Sequence, residues 1–250
     1  MPRFFVTDGT LTPETAEVLL TGEDARHISL SLRMAVGDEI TLSDGRGYEY
    51  AARLAAITKE TVTAEVLSSA RSAAELPFPI HLYMGYPKGD KLDTVIEKAV
   101  ELGAATVTPF LSSRCVRRPA AEKGERLLER YNRIARGAAG QCGRALLPEV
   151  RPTLSFDEML RAARESELTL FCYEGEGTVP LGAVLADFPQ PASIAVIVGS
   201  EGGFSPEEAA AARAARCVPT GLGKRILRCE TAPLLALSCL GFFYDFGKST

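Results

Sequence analysis

The sequence has no tryptophan and only two histidines, His27 and His81, which lie far apart in the chain. Neither has a nearby cluster of ligand-type side chains, so histidine-based metal chemistry and Ser-His-Asp catalysis have little to build on. The six cysteines, at 115, 142, 172, 217, 229 and 239, include no C-x-x-C pair and read as reduced thiols. No metal is therefore expected. No apolar run approaches the roughly 20 residues that a membrane span requires. The opening residues Met1 to Asp8 turn polar too early for a secretory signal, so the expected location is cytoplasmic, away from any membrane.

The chain is 250 residues long, enough for one large domain or for a small domain joined to a larger one. Its net charge of -4 excludes a protein that is cationic throughout. The charge is unevenly spread. Between Lys88 and Arg151 there are thirteen Lys or Arg against eight Asp or Glu, which points to a localised basic face.

Residues 1 to about 70 read as short strands. The turn Asp44-Gly45-Arg46-Gly47 follows Thr41 to Ser43, and the runs Tyr48 to Ile57 and Thr61 to Leu67 alternate in polarity. One helix is expected over Glu23 to Leu32, with Ala25, Ile28 and Leu32 on its apolar side. This organisation suits a small β-barrel. The proline-bearing stretch Ala73 to Pro79 marks the boundary, giving domains 1–72 and 73–250.

Beyond it, apolar strands alternate with amphipathic helices. Strands are expected at Ile80 to Gly85, Ala105 to Phe110, Leu168 to Tyr173 and Ile194 to Val198. Between them come a helix from Asp90 to Leu102 closed by Gly103, a long helix lined by Leu127, Tyr131, Ile134, Ala135 and Ala138, and one near Val179 to Leu185. The long helix offers Glu122–Arg126 and Glu129–Arg133 as i, i+4 pairs. Ser205-Pro206-Glu207-Glu208 opens another helix, and an apolar helix spans Ala232 to Phe246. Such alternation implies an α/β domain with a mostly parallel sheet covered on both faces.

Two glycine-bearing loops carry the candidate chemistry. The first, Val196 to Ser205, runs from a buried strand through Gly199, Gly202 and Gly203 into a capped helix, and its glycines permit close approach of a ligand to the backbone. It is not a phosphate-cradling P-loop, lacks the G-x-G-x-x-G dinucleotide fingerprint and misplaces its serine for a nucleophile elbow. The second, Thr220 to Pro233, combines Leu222, Ile226 and Leu227 with Lys224, Arg225 and Arg228. An apolar, glycine-containing cradle suits an adenosine moiety, and adjacent cations suit phosphate or a developing anion. Either loop alone also reads as an ordinary strand-to-helix turn.

Taken together, G-S-E-G-G-F-S-x-x-E (199–208) and L-G-K-R-I-L-R-C-E-T-A (222–232) resemble the C-terminal signature loops of the ribosomal RNA uridine-N3 methyltransferases of the SPOUT superfamily. The segments Lys88 to Gly103 and Arg133 to Arg144, R-F-F-V at the start, and H-x-x-x-x-L-R-x-x-x-G-D (27–38) fit the same family. Two positions depart from it: the family usually has proline where this chain has Ser200 and threonine where it has Cys229.

The resemblance implies a PUA-like β-barrel followed by an α/β domain threaded into a trefoil knot. It further implies a homodimer, with S-adenosyl-L-methionine (SAM) as methyl donor and 16S ribosomal RNA or the small ribosomal subunit as partner. Carried over, the cofactor-binding positions are Cys172, Tyr173, Glu174, Val198, Gly199, Glu201, Gly202, Gly203, Leu222, Gly223, Ile226, Leu227 and Arg228.

Uridine N3 carries a proton that must leave before methylation. Arg228 is the candidate for stabilising the resulting charge, and Glu201 or Glu230 for taking the proton. Arg3, Arg114, Arg117, Arg118, Arg133 and Arg144 are candidate RNA contacts, against the alternative of a solvated helix face. Two further readings stay open: a non-catalytic RNA-binding or ribosome-assembly protein, and a SPOUT enzyme with another RNA target or a ribose hydroxyl acceptor.

Overall fold

The computed structural model describes residues 1–119 and 124–245 and divides into two compact units. One comprises Met1–Glu75 with Ala139–Leu147, and the other Leu76–Ala138 with the chain from Pro148 onward.

The first unit is built on β1 (Arg3–Phe5), β2 (Glu17–Thr21), β3 (Glu39–Ser43), β4 (Tyr48–Ile57) and β5 (Thr61–Arg71). The sheet order is β1-β3-β4-β5-β2, with β1 parallel to β3 and the other neighbours antiparallel. Period-2 alternation sends Tyr50, Ala52 and Leu54 of β4 inward to meet Ile40, Leu42, Val62 and Ala64, while Arg53 faces water. The β3–β4 hairpin is held as its sequence suggests, because Asp44 Oδ1 accepts the N–H groups of Arg46 at 2.7 Å and Tyr48 at 3.1 Å.

The helix expected over Glu23 to Leu32 is split. It is α-helical only in α1 (Gly22–Arg26), and a π-turn follows at His27–Ser31. The widened turn inserts a residue, and at about 100° per residue this rotates later positions off the apolar side. Ala25 and Ile28 are accordingly buried, whereas Leu32 is 41% exposed.

The unit also takes in residues far along the chain. Glu75 accepts the N–H groups of Ala145 and Leu146, and Ser43 Oγ donates to the Ala145 carbonyl. A linear boundary near residue 73 does not show this excursion.

The second unit contains β6 (Ile80–Gly85), α2 (Lys91–Glu101), β7 (Ala104–Leu111), all of α3 (Gly124–Cys142) but its last four residues, β8 (Glu149–Val150), β9 (Leu154–Ser155) and α4 (Phe156–Ala163). It continues with β10 (Leu168–Cys172), β11 (Val179–Pro180), α5 (Leu181–Asp187), β12 (Ile194–Val198), α6 (Pro206–Ala214), β13 (Val218–Gly221) and α7 (Thr231–Tyr244). The sheet order is β11-β13-β10-β12-β6-β7-β8, β9 also pairs with β7, and every pairing is parallel. Every residue of β12 is buried, as a strand covered on both faces requires.

On α2, Leu92, Val95, Ile96 and Ala99 are buried as their spacing dictates. On α3, Glu129 and Arg133 are both exposed and form no ion pair, and Arg130 instead reaches Asp93. Glu122 and Phe246 lie outside the described residues. Several elements went unread in the sequence, α4 and β13 among them. Helix α4 carried a legible signal, since Ser155 and Glu158 form the same reciprocal capping box as Ser205 and Glu208.

Candidate active site

Strands β13, β10 and β12 are neighbours, and all three run parallel, so the loops after them emerge at one edge of the sheet. In open parallel sheets that carboxyl edge is where ligands bind. The loops Tyr173–Gly175, Gly199–Phe204 and Leu222–Arg228 there line a cavity of about 640 Å³, within the usual range for a small-molecule site.

Local sequence explains the shape of the middle loop. Phe204 anchors it in an aromatic cluster, 4.3 Å from Phe171 and stacked at 6.2 Å on Phe110. Ser205 then caps α6, and the buried Glu208 returns the bond to the Ser205 N–H. Two glycines are required by close approach. A Cβ on Gly85 would stand 2.4 Å from the Ser200 nitrogen, and one on Gly202 would stand 2.8 Å from the Arg114 carbonyl oxygen.

Of the thirteen residues expected at the cofactor, the structure brings twelve to the cavity wall: Cys172, Tyr173, Glu174, Val198, Gly199, Glu201, Gly203, Leu222, Gly223, Ile226, Leu227 and Arg228. Gly202 instead packs behind the wall, against Arg114. Ile226 is 85% exposed, so it serves as rim and not as floor. Glu201 and Arg228 face the cavity; Glu230 is outside its lining but linked to it.

That link is a residue the sequence reading missed. The Lys91 ammonium lies 3.0 Å from Glu201 Oε1 and 3.1 Å from Glu230 Oε2, and the Lys88 N–H donates to Glu201 at 3.1 Å. Burial alone would push the Glu201 carboxyl up, but its own backbone amide, Lys91 and the Lys88 N–H outweigh that and hold it below the usual range. Glu230 is depressed in the same way, with burial opposed by its backbone amide, the Cys229 thiol and Lys91. Hydrogen bonds to Glu201 and then Glu230 raise Lys91, which stays an ammonium. Burial foremost, then Glu230, pushes the Cys229 thiol up to about 12, and burial does the same for Cys172, so neither is a thiolate nucleophile.

The candidate RNA contacts divide. Arg118 and Arg133 are exposed, the latter in a shallow hollow on α3 shared with Arg126 and Arg130. Arg114 lines the cavity and donates to the Gly202 carbonyl, while Arg117 donates to the Gly89 carbonyl and covers the Tyr86 ring.

The structure draws Arg144 away from solvent: it is 4% exposed and donates from Nε and Nη2 to Glu75, forming a buried ion pair. Arg3 is similarly withdrawn, with a 13% exposed side chain 3.3 Å from Glu49.

Residues 74–241 match the model of the RNA methyltransferase domain, and residues 20–67 match that of the RNA methyltransferase PUA domain. The chain belongs to the RNA methyltransferase family. Among the relatives of this methyltransferase is "Ribosomal RNA small subunit methyltransferase E" of Bacillus subtilis (strain 168), 33% identical over 97% of this chain and 96% of the relative. Among solved structures, a protein of that name from Neisseria gonorrhoeae, described as bound to S-adenosyl methionine, aligns with a TM-score of 0.85 at 32% identity over 98% of each chain. A Legionella pneumophila putative methyltransferase, described in complex with bound SAM, aligns with a TM-score of 0.82 at 32% identity over 96% of each chain. These likenesses agree with a small N-terminal β domain joined to a parallel-sheet α/β domain.

Among the described residues no group of three metal-ligating side chains occurs, and no helix is long and apolar enough to cross a membrane.

Proposed function

We propose that this methyltransferase uses SAM to methylate N3 of a uridine in 16S ribosomal RNA, as free RNA or in the small subunit. The observation that carries the reading is the cavity at the carboxyl edge of β10, β12 and β13, walled by glycine-bearing backbone and rimmed by Arg228 and Glu201. The residues fit such a cofactor. Its adenosine would lie against Val198, Gly199, Leu222 and Leu227, and its charged amino-acid end would reach toward the charged rim.

Bound there, SAM supplies an activated methyl group on a sulfonium. The protein's own part is to orient the uracil, shed its N3 proton and meet the charge that develops on the carbonyl oxygens. The Arg228 guanidinium, which lines the cavity, is the candidate for the last task. Glu201 is preferred over Glu230 as proton acceptor because it lines the cavity.

Residues 1–72 serve as the RNA-binding domain and 73–250 as the catalytic one. The exposed Arg118 and Arg133, with Arg114 at the cavity, are the retained phosphate contacts. The position of β13 supports a threaded chain end. It lies between β10 and β11, which are consecutive in sequence and joined by residues 173–178, so the chain leaving β13 must pass that connection. A homodimer accords with exposed apolar side chains in the catalytic unit, among them Phe242 at 70%. A cytoplasmic location accords with the ribosomal substrate.

The deciding experiment is incubation with labelled SAM and small subunits from a strain lacking the protein, followed by mass spectrometry of the digested RNA. N3-methyluridine is expected. A ribose-methylated product would overturn the acceptor. Absence of any SAM-induced stabilisation, where a micromolar binder at saturation gives about 2 to 4 kcal/mol, would overturn catalysis itself.

A further inference from the structure

Three separated sequence segments meet at one ammonium group. Lys91 opens α2, Glu201 sits in the loop after β12, and Glu230 immediately precedes α7. The distances are 3.0 Å to Glu201 and 3.1 Å to Glu230, with the Cys229 Sγ at 3.9 Å. The Cys229 thiol donates in turn to Glu230 at 3.2 Å. All three charged side chains are about one-third exposed, with 31%, 27% and 33% for Lys91, Glu201 and Glu230, and Glu201 also lines the cavity.

We propose that Lys91 is the positioning residue of the methyl-transfer site, holding Glu201 and Glu230 as a pair of charged carboxylates and tying both glycine loops to the start of α2.

This rests on the methyl-transfer reading above. The charge count gives the reason. One cation between two carboxylates leaves the cluster with a single net negative charge, beside a cavity proposed to hold a cationic donor and an acceptor that must lose a proton. Without Lys91 the two carboxylates would lose their common cation and keep only the Lys88 N–H and the Cys229 thiol, and like charges near one another raise each other's proton affinity, toward one shared proton. A shared proton would occupy the oxygen needed to receive the one from the substrate.

With Lys91 present, Glu201 gains the proton that N3 loses, N3 gains the methyl carbon, and the pair of the old carbon–sulfur bond stays on the departing thioether. Glu201 then returns its proton to water. The groups facing the cluster are the Lys88 N–H on one side of Glu201, the Cys229 thiol beside Glu230, and Lys91 between them.

The test compares wild type with Lys91→Met and Lys91→Arg. Carbon-13 NMR of labelled glutamate follows the Glu201 and Glu230 titrations without any need for catalysis. Lys91→Met is expected to raise at least one midpoint by about one pH unit, and Lys91→Arg to leave both near wild type. In methyl transfer, the ratio of Lys91→Met to wild-type kcat is expected to fall by up to about twofold as pH drops from 8 to 5.5, with Lys91→Arg restoring the ratio.

Unchanged titrations, or a loss of kcat that is the same at every pH, would overturn the proposal, because loosened packing alone has no such pH signature. Failure of the wild type to transfer methyl would defeat the functional reading instead, and the NMR titration would still decide the role of Lys91.

Discussion

The Glu208 carboxylate accepts the Ser113 N–H at 2.7 Å while its other oxygen accepts the Ser205 N–H at 2.9 Å, so one buried side chain fastens the start of α6 to the segment after β7. Both bonds hold the wall of the cavity, since Arg114 follows Ser113 and packs on Gly202. Replacing Glu208 by Ala should cost about 1 to 3 kcal/mol, the penalty for stranding buried donors. Denaturant unfolding would show it, and SAM affinity measured by calorimetry should weaken in parallel. A stability loss with unchanged affinity would mean the wall does not depend on this tether.

Arg144 and Glu75 form a buried pair with charged hydrogen bonds at 2.9 and 3.1 Å. Arg144→Ala leaves the carboxylate without its cation and is expected to destabilise the first unit by about 3 to 5 kcal/mol. The salt dependence of RNA binding by the protein that remains folded should not change. A reduced slope of log affinity against log salt would return Arg144 to the phosphate contacts.

Acid sensitivity should come in part from His81. Burial first, and then the nearby Arg151, lower its proton affinity below the ordinary histidine value of 6.5. The unfolded chain then binds a proton that the folded one refuses, so stability falls as pH drops below about 6.5 and is recovered above it. His81 also shares a 2.9 Å contact between Nδ1 and Thr106 Oγ1, which an amide can keep. His81→Asn should flatten the change in urea midpoint between pH 7.5 and 5.5, and an identical profile in both proteins would remove this histidine from the account.

Arg228→Ala should cut methyl transfer about a hundredfold to a thousandfold, the usual result of deleting a group that meets developing charge. SAM affinity by calorimetry should change far less. Equal losses in both would make Arg228 a cofactor ligand and leave charge stabilisation to another cation, with Lys224 and Arg225 on the same loop as the next to examine.

Strong local patterns were readable directly. The strands Ile80–Gly85 and Ile194–Val198 have their expected limits, and the apolar spacing of Leu92, Val95, Ile96 and Ala99 marked the face α2 buries. Short or weakly patterned elements were not readable. The strand Val218–Gly221 has only four residues, including Pro219 and Gly221, and becomes a strand because β10 and β11 pair with it on either side. The π-turn at His27 likewise has no periodic signature, and it displaced Leu32 from the apolar side.

The sequence by itself determined where the two glycine-bearing loops and their clustered cations lie, because glycines, capping serines and cations act through local backbone freedom and fixed charge. Only the tertiary structure decided how those residues are used. It withdrew Arg144 into an ion pair with Glu75 and set Gly202 behind the cavity wall. It also brought Lys91 between Glu201 and Glu230, residues 110 and 139 positions away in the chain. Electrostatic partnership depends on distance in space, and the parallel order of β12, β6 and their neighbours sets that distance, not proximity along the chain.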